Sequence, residues 1–537
     1  MNCRISFTTP EGHQLTQQRL VQKTTPLRSS PQQLGSLIKW VRDVMRKDKG
    51  LSGELDRIPM LTWIMFLKFL DDQEKIREAE AKLDGRVFIP TMEPPYRWRD
   101  WAAKDDGITG QELLAFVNQD EAVRPDGTRG LGLFAYLRSI AGSETRDRRD
   151  VVATVFKGTV NRMINGYLLR DVINKIDEIH FDTTDEIHSL AFLYESLLKE
   201  MRDAAGDSGE FYTPRPVVRF MVHVTDPKLG EVVMDPAAGT GGFLVEAFSH
   251  LSGQCRKAED FEKLQSGTLL GFEAKPMPFL LCQMNMLLHG IESPDIDPGN
   301  ALRFPLREIG EKDRVDLVLT NPPFGGEEER GILGNFPEDR RTSETALLFL
   351  QLIMRRLRRS PNPGRAAMVV PDGVLFGGGI CARIKEELLK EFNLHSIVRL
   401  PNGVFAPYTD ISTNLLFFDR SGPTKEIWYY EHPLPEGRKK YTKTQPLRYD
   451  EFADCEAWWS IRKENERAWK LMAEDILEYD DRGNVTSVNL DRKNPNTKKD
   501  LGYLSPVQLA NDILQKEKRI SQIMSEVNVE LAKRGNE

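Results

Sequence analysis

The sequence predicts an α/β fold: a mostly helical N-terminal domain, then a parallel sheet wrapped by helices, then a helix-ended C-terminal region. Two observations predict it. Beyond about residue 185, short apolar segments rich in β-branched residues alternate with helical segments, which is typical of a parallel sheet covered by helices. Before that point, apolar residues recur at helical spacing and convincing strands are missing. The predicted strands are 231–234, 268–272, 315–320, 366–370, 394–400 and 413–418.

The composition of the 537 residues excludes several classes of protein. Hydrophobic residues make up 40% and charged residues 29%, which excludes a mainly disordered chain. The formal net charge is −7, so a contact with nucleic acid needs a local basic patch or a partner. The five cysteines show no Cys-x-x-Cys spacing, and we expect neither a disulfide framework nor a metal site. The longest apolar stretch, 60–70, is too short to span a bilayer, and we expect a cytoplasmic protein.

The N-terminal part of the chain is predicted to be helical after a polar start. Residues 1–34 are turn-rich and are predicted to form a flexible tail. A helix is predicted to follow, because the apolar residues between 37 and 45 fall on one face. We assign 35–185 to a helical domain, with further helical patterns at 60–70, 110–118, 132–140 and 151–176.

A strand, a turn of small residues and a helix follow one another at residues 232–243 (Val-Val-Met-Asp-Pro-Ala-Ala-Gly-Thr-Gly-Gly-Phe). The strand ends at Asp235, and the glycine loop 239–242 lets backbone N–H groups approach a ligand at the carboxyl end of the sheet. The spacing is neither the Gly-x-Gly-x-x-Gly fingerprint nor a P-loop. Glu273 closes the next predicted strand, where its carboxylate can accept both ribose hydroxyls of a nucleoside cofactor. An ordinary tight turn followed by a strand-end carboxylate would have the same sequence pattern.

A second motif, Asn321-Pro322-Pro323-Phe324, follows a buried strand. Two consecutive prolines lack N–H donors, so the carbonyl of Pro322 is free of ladder partners. With the side-chain oxygen of Asn321 it offers two acceptors, which match the two N–H groups of an exocyclic amine such as adenine N6. These acceptors would stabilise the positive charge that develops as the amine gains a methyl group, and Phe324 offers a face on which a flipped base can stack. In isolation, the motif also suits a proline-rich exit from a strand.

Beyond about residue 425 the composition becomes polar again, and 426–537 is predicted to be a C-terminal region. Its last helix is predicted at 506–533. Ile513, Ile520 and Val527 recur there at seven-residue spacing, and Lys516 interrupts a second line of apolar residues. This imperfect heptad fits either a helix packed on its own domain or a helix that binds a partner.

The glycine loop, Glu273 and the Asn-Pro-Pro-Phe motif resemble the cofactor and catalytic motifs of S-adenosylmethionine-dependent amino-methyltransferases. The segments 209–216, 370–376 and 400–405 and the helical domain are similar to the modification subunits of type I restriction–modification systems. The resemblance covers most of the chain, apart from the first 34 residues, and implies a Rossmann-like methyltransferase domain at 186–425. It implies that S-adenosyl-L-methionine is bound by Glu210, Phe211, Tyr212, Thr213, Pro214, Arg215, Asp235, Gly239, Thr240, Gly241, Gly242, Glu273 and Asn300. It assigns catalysis to Asn321, Pro322, Pro323 and Phe324.

The methyl acceptor is not decided by the motif alone. Cytosine C5 methylation needs a thiolate, typically in a Pro-Cys pair, and no cysteine here follows a proline. The resemblance favours adenine N6, while the two-acceptor geometry also allows cytosine N4 or the side-chain amide of a protein glutamine. A run of arginines could contact DNA phosphates or be a solvated helix end. This arginine cluster comprises Arg355, Arg356, Arg358, Arg359 and Arg365.

The sequence therefore predicts a DNA adenine-N6 methyltransferase that acts as the modification subunit of a type I complex. In this interpretation the target adenine is flipped out of duplex DNA. The predicted helix 506–533 docks on a specificity subunit, and a restriction subunit belongs to the same complex. No segment is large enough to be an obvious target-recognition domain, so the partner is expected to supply DNA specificity. Two alternatives stay open: a protein glutamine N5-methyltransferase, and a catalytically silent scaffold that binds DNA and partners.

Overall fold

The computed structural model describes residues 30–104, 107–140, 148–181, 184–205, 211–325 and 328–496, together with 514, 516–518, 520–521 and 523–524. Most of the predicted 1–34 tail lies outside these residues, and so does Glu210 of the predicted cofactor site. Ile513 and Val527 of the predicted helix 506–533 also lie outside them. The described residues between 514 and 524 are helical.

Eight helices and one short hairpin lie between residues 31 and 205 in the described part of the chain. Helix α1 begins within the last residues of the predicted tail, because Ser30 and Gln33 form a capping box in which each side chain accepts the other's backbone N–H. The hairpin was not predicted, and the predicted helix 151–176 is two helices, α6 and α7. The elements are α1 Pro31–Met45, α2 Glu54–Leu83, α3 Trp98–Trp101, α4 Gly110–Asn118, β1 Glu121–Val123, β2 Arg129–Leu131, α5 Leu133–Ser139, α6 Arg148–Gly158, α7 Gly166–Asp177 and α8 Thr184–Ala205.

Helix α2 contains both the predicted apolar helix 60–70 and the charged stretch that follows it. Buried acids in the charged half are paired one turn away along the helix: Asp72 with Lys68 at 3.0 Å and Asp71 with Lys75 at 3.0 Å. Such i, i+4 pairs stabilise a helix and compensate the buried charges. The helix therefore continues to Leu83.

The second half of the chain alternates strands and helices, as the sequence predicts. Its elements are α9 Arg215–Thr225, β3 Val233–Asp235, α10 Gly242–Ser252, α11 Ala258–Gln265, β4 Leu269–Phe272, α12 Pro276–Leu288, β5 Asp295–Asp297, β6 Leu317–Thr320, α13 Arg330–Leu333, α14 Thr345–Arg356, β7 Arg365–Pro371, α15 Asp372–Leu375, α16 Ile380–Glu391, β8 Asn393–Leu400, β9 Thr413–Asp419, β10 Glu426–Glu431, α17 Ala453–Ile461, β11 Ala468–Met472, β12 Leu477–Tyr479 and β13 Val485–Val488. All six predicted strands are present.

Nine strands form one sheet within the described residues, in the order β11-β10-β8-β9-β7-β6-β3-β4-β5. Pairing is parallel from β7 through β5, whereas β9 runs antiparallel to both β7 and β8, and β11 antiparallel to β10. The expectation of a parallel sheet is therefore corrected to a mostly parallel one. Strands β10 and β11 join this sheet beyond residue 425, the predicted end of the catalytic domain.

The helical N-terminal part packs against one helix of the α/β part. Helices α2, α6 and α8 all contact α12, which follows β4. Helix α12 is buried along nearly its whole length, from Pro278 to Leu288. It therefore connects the helical part to the edge of the sheet where the predicted site lies. Among the described residues, no helix is long and apolar enough to cross a membrane.

Candidate active site at the carboxyl edge of the sheet

Three predicted motifs meet at one edge of the sheet. Strand β3 pairs in parallel with β6 on one side and with β4 on the other. The glycine loop follows β3, the Asn-Pro-Pro-Phe motif follows β6, and Glu273 follows β4. The carboxyl ends of neighbouring parallel strands form the usual ligand crevice of an open α/β sheet. The structure thus brings the motifs together as the sequence predicts.

The glycine loop lies directly against the segment 211–215. Gly239 and Gly241 have positive φ values of 55° and 77°, a backbone conformation that favours glycine. A Cβ at Gly239 would overlap the carbonyl oxygen of Phe211, and a Cβ at Gly242 would overlap the guanidinium of Arg215. The loop needs glycine because both its conformation and its neighbours exclude a side chain.

Glu273 holds the glycine loop from the neighbouring strand. Its Oε2 accepts the backbone N–H of Gly239 at 2.9 Å, and its Oε1 accepts that of Lys275 at 2.8 Å. The carboxylate therefore lies beside the glycine loop.

Asn321 is oriented by a residue of the predicted cofactor segment. Its Nδ2 donates to Oγ1 of Thr213 at 3.0 Å. Its Oδ1 is buried and accepts no hydrogen bond from any residue that the structure describes. Pro322 is buried beside it. The amide is thus held by its donor end, and its acceptor end stays available, which the sequence alone did not reveal.

Phe324 belongs to an aromatic group at the same edge. Its half-buried ring lies 5.2 Å from the ring of Phe405 in an edge-to-face arrangement and 5.9 Å from that of Tyr408. Such contacts fix the ring geometry. Phe405 ends the 400–405 segment that resembles the family, so this segment is brought to the Asn-Pro-Pro-Phe motif.

Asp235 connects the strands below the two motifs. It is 1% exposed, and its Oδ1 accepts from Oγ1 of Thr320 at 2.8 Å and from the backbone N–H of Ala237 at 3.1 Å. Burial raises the pKa of this carboxyl to about 7. Thr320 immediately precedes Asn321, so this side-chain hydrogen bond adds to the pairing of the two strands at the point where both motifs begin.

Tyr212 and Arg215 lie together behind the glycine loop. The guanidinium of Arg215 stacks 4.8 Å from the Tyr212 ring and donates to both carboxylate oxygens of Glu195, each at 2.7 Å. Asn285 donates to Glu195 and to the carbonyl of Thr240. Sequence reasoning missed Glu195 and Asn285, because no local motif marks a residue whose partners are far away in the chain.

Asn300 is already engaged in the structure. Its Oδ1 accepts the backbone N–H of Leu302 at 2.9 Å, and its Nδ2 donates to Glu328 at 3.0 Å. It follows β5, at the same edge of the sheet as the glycine loop. The structure therefore places it on the predicted edge, as the cap of a short helical turn.

The arginine cluster lies at the opposite edge of the sheet, since Arg365 begins β7. Arg365 forms a bidentate pair with Glu231, Arg358 pairs with Asp316, and the other arginines contact a backbone carbonyl or a glutamate. The structure does not bring this cluster to Asn321. Within the described residues, no group of three or more His, Cys, Asp or Glu is arranged to hold a metal ion.

The fold and the site together define a Rossmann-like methyltransferase with a helical N-terminal domain. Residues 185–494 match the model of the N-6 DNA methylase family, and residues 34–176 match that of the HsdM N-terminal domain. The chain belongs to the N-6 DNA methylase family and, within it, to the methylase subunits of type I restriction enzymes.

Named relatives agree with this assignment. The chain is 47% identical over 472 residues to the type I restriction enzyme EcoEI methylase subunit of Escherichia coli, covering 86% of this chain and 90% of the relative. A modification subunit assigned to a type I restriction enzyme of Vibrio vulnificus YJ016 has a solved structure that matches with 67% identity. That match has a TM-score of 0.80 and covers 88% of this chain and 99% of the other. A second solved chain, from a study of assembly of a type I system, matches with 41% identity and a TM-score of 0.75, covering 93% and 98%.

These similarities support the DNA methylase interpretation over both alternatives. The relative matches over nearly its full length and is named as a methylase subunit of a restriction enzyme. The predicted class, fold and enzyme type are therefore confirmed.

Proposed function

We propose that this chain transfers the methyl group of S-adenosyl-L-methionine to N6 of an adenine flipped out of duplex DNA, within a type I complex in the cytoplasm. The observation that carries the proposal is the orientation of Asn321. Thr213 engages its Nδ2 and leaves its buried Oδ1 as an acceptor. An acceptor held in advance at the place where charge develops is worth far more in a buried site than in water.

The residues around the glycine loop fit this cofactor. The glycines of 239–242 let the loop pack directly against Phe211 and Arg215, and the carboxylate of Glu273 holds the loop and suits two ribose hydroxyls. When bound, S-adenosyl-L-methionine supplies an electrophilic methyl group on a sulfonium. We assign its binding to 211–215, 239–242 and Glu273, with Asp235 beneath the loop. Glu210 and Asn300 stay predictions.

Asn321 and Pro322 act on the amine that receives the methyl group. The Asn321 Oδ1 and the Pro322 carbonyl each accept one N–H of the exocyclic amine. This withdraws its lone pair from the ring and stabilises the positive charge as the new bond forms. No strong base would be needed, because the S–methyl bond breaks to leave a neutral thioether and the methylated amine, then cationic, is acidic enough to pass its proton to water.

The cysteine beside the glycine loop, Cys282, supports an amine acceptor over cytosine C5. Cys282 packs against Gly241, where an added Cβ would lie 2.9 Å from its Sγ. Burial raises the pKa of this thiol well above its ordinary value. A thiol held protonated in this way is not the nucleophile that C5 methylation requires.

Phe324 is proposed to stack on the flipped adenine, in the aromatic group that it forms with Phe405 and Tyr408. A specificity subunit is proposed to deliver the duplex, because the net charge of −7 disfavours DNA binding by bulk charge. The predicted helix 506–533 is proposed to dock on that subunit. A restriction subunit completes the complex.

Reconstitution tests the proposed function. The chain is co-expressed with its specificity subunit and incubated with labelled S-adenosyl-L-methionine and either DNA or a protein extract, and the modified base is identified after digestion. N6-methyladenine in DNA is expected, and Asn321→Ala should abolish it. Label in protein glutamine would favour the glutamine methyltransferase, and cofactor binding without transfer to either substrate would favour the silent scaffold.

A further inference from the structure

We propose that Glu195 and Asn285 are positioning residues that hold the cofactor loop, so that helix α8 sets the affinity for S-adenosyl-L-methionine. The proposal rests on the proposed function, because it assumes that this cofactor binds at the glycine loop. Neither residue belongs to the glycine, Glu273 or Asn-Pro-Pro-Phe motifs. Both act through other residues, Arg215 and Thr240.

Glu195 fixes Arg215 against the loop. The two side chains form a bidentate pair in which Nε and Nη2 each donate at 2.7 Å, the geometry in which an arginine–carboxylate pair is strongest. Burial disfavours the ionised acid, but the charge of Arg215 and the hydrogen bonds from Arg215 and Asn285 together outweigh it, and the pKa of Glu195 lies below its ordinary value. The carboxylate therefore stays ionised and the pair stays formed at neutral pH.

Arg215 in turn limits where the loop can lie. Its guanidinium occupies the space that a Cβ at Gly242 would need, at the first residue of α10. It also stacks on Tyr212, whose ring has Arg202 at 5.1 Å as well. A movement of Arg215 would therefore displace either the start of α10 or the segment 211–215.

Asn285 closes the network from the other side. Its side chain is fully buried at 0% exposure, and its Nδ2 donates at 2.9 Å both to Glu195 Oε1 and to the carbonyl oxygen of Thr240. The backbone N–H of Thr240 donates to the carbonyl of Phe211 at 3.1 Å. One amide group thus joins α8, α12 and the middle of the glycine loop.

Helix α8 extends the network to the helical domain. Tyr194, next to Glu195, exchanges a hydrogen bond of 3.1 Å with Thr62 of α2. Tyr194, which contacts α2, and Glu195, which holds Arg215, are therefore consecutive residues of α8. A shift of α8 on α2 would reach the cofactor loop without any change in the residues that contact the cofactor.

The test compares Asn285→Ala, Asn285→Asp and Glu195→Gln with two matched controls in the full complex. Asn285→Asp keeps the shape but loses both donated hydrogen bonds, and Glu195→Gln keeps the shape but loses the charge. Gln283→Ala removes another buried amide from α12. Glu200→Gln removes an ion pair of α8 with Arg42. The dissociation constant of S-adenosyl-L-methionine is measured by calorimetry, its KM and kcat by DNA methylation, and Tm by thermal unfolding.

We expect the three variants to bind S-adenosyl-L-methionine about 3- to 30-fold more weakly, the range for mutations along a coupling network. Their KM should rise in proportion while kcat at saturating cofactor changes less than about twofold, and the controls should bind like wild type. Unchanged dissociation constants, a fall in kcat that saturation does not restore, or equal losses in the controls would overturn the proposal. Wild type that binds no S-adenosyl-L-methionine would instead refute the proposed function itself.

Discussion

Replacing Asn321 by Ala removes one acceptor from the proposed methyl-transfer site. In the structure its Nδ2 is held by Thr213 at 3.0 Å, and its Oδ1 is buried with no partner among the described residues. Removal of one preorganised hydrogen-bonding group of this kind costs about 2.7–4 kcal/mol of transition-state stabilisation, or on the order of 10²–10³ in rate. Affinity for S-adenosyl-L-methionine should change little, because Asn321 meets the amine and not the cofactor.

A single-turnover assay measures this loss directly. The complex is loaded with labelled S-adenosyl-L-methionine and mixed with target DNA, and cofactor affinity is measured separately by calorimetry. Asn393→Ala is the matched control, because Asn393 donates to Asp419 at the opposite edge of the sheet. A wild-type rate in Asn321→Ala would refute the role of Asn321. A slow rate explained wholly by weaker cofactor binding would refute it as well.

Four further outcomes are expected. Thr213→Val should slow transfer at saturating cofactor about 2- to 13-fold, the worth of one neutral hydrogen bond of about 0.5–1.5 kcal/mol; an unchanged rate at saturation would contradict it. Glu273→Ala should weaken cofactor binding about 10- to 150-fold through loss of charge-assisted bonds, measured by calorimetry. Because the pKa of Asp235 is about 7 in the folded protein, against 3.8 ordinarily, the native state holds an extra proton between about pH 4 and 7. Stability therefore falls as pH rises through that window, and the Tm of wild type relative to Asp235→Asn should fall from pH 5 to 8. Truncation after Gly502 should abolish assembly with the specificity subunit on size-exclusion chromatography and leave cofactor binding intact; a truncated chain that still assembles would contradict this.

The strands that the sequence predicts share one property, a short run of mostly apolar residues. In strand β6 every residue is buried, as expected for a strand inside a parallel sheet that is covered on both faces. Strand β5, Asp-Ile-Asp, was missed because its only apolar residue is Ile296. The antiparallel direction of β9 was missed for a different reason. A buried strand has the same composition in either direction, and its direction depends on how the chain connects it to the neighbouring strands.

The parts of the site that short sequence motifs mark were predicted. The parts formed by residues far apart in the sequence were missed. The glycine loop, Glu273 and Asn321 stand at the ends of recognisable strands, and parallel pairing brings such ends together. Asn285 and Glu195 are 90 positions apart, and no sequence period joins them. The arginine cluster lies away from this site because Arg365 stands at the start of β7, and the direction of that strand in the sheet is not visible in the local sequence.

Two hydrogen bonds of threonine hydroxyls link the cofactor motifs to the catalytic motif. The hydroxyl of Thr213 accepts from Asn321, and the hydroxyl of Thr320 donates to Asp235. The acceptor therefore has its geometry only when the segment 211–215 is in place against the glycine loop. The variants should therefore differ in the step that they impair, cofactor binding or methyl transfer. Substitutions that loosen the loop, such as Asn285→Ala, should be corrected by excess cofactor, because the bound state still presents Thr213 to Asn321. Substitution of Thr213 itself should not be corrected by any cofactor concentration, because the cofactor then binds beside a misoriented acceptor.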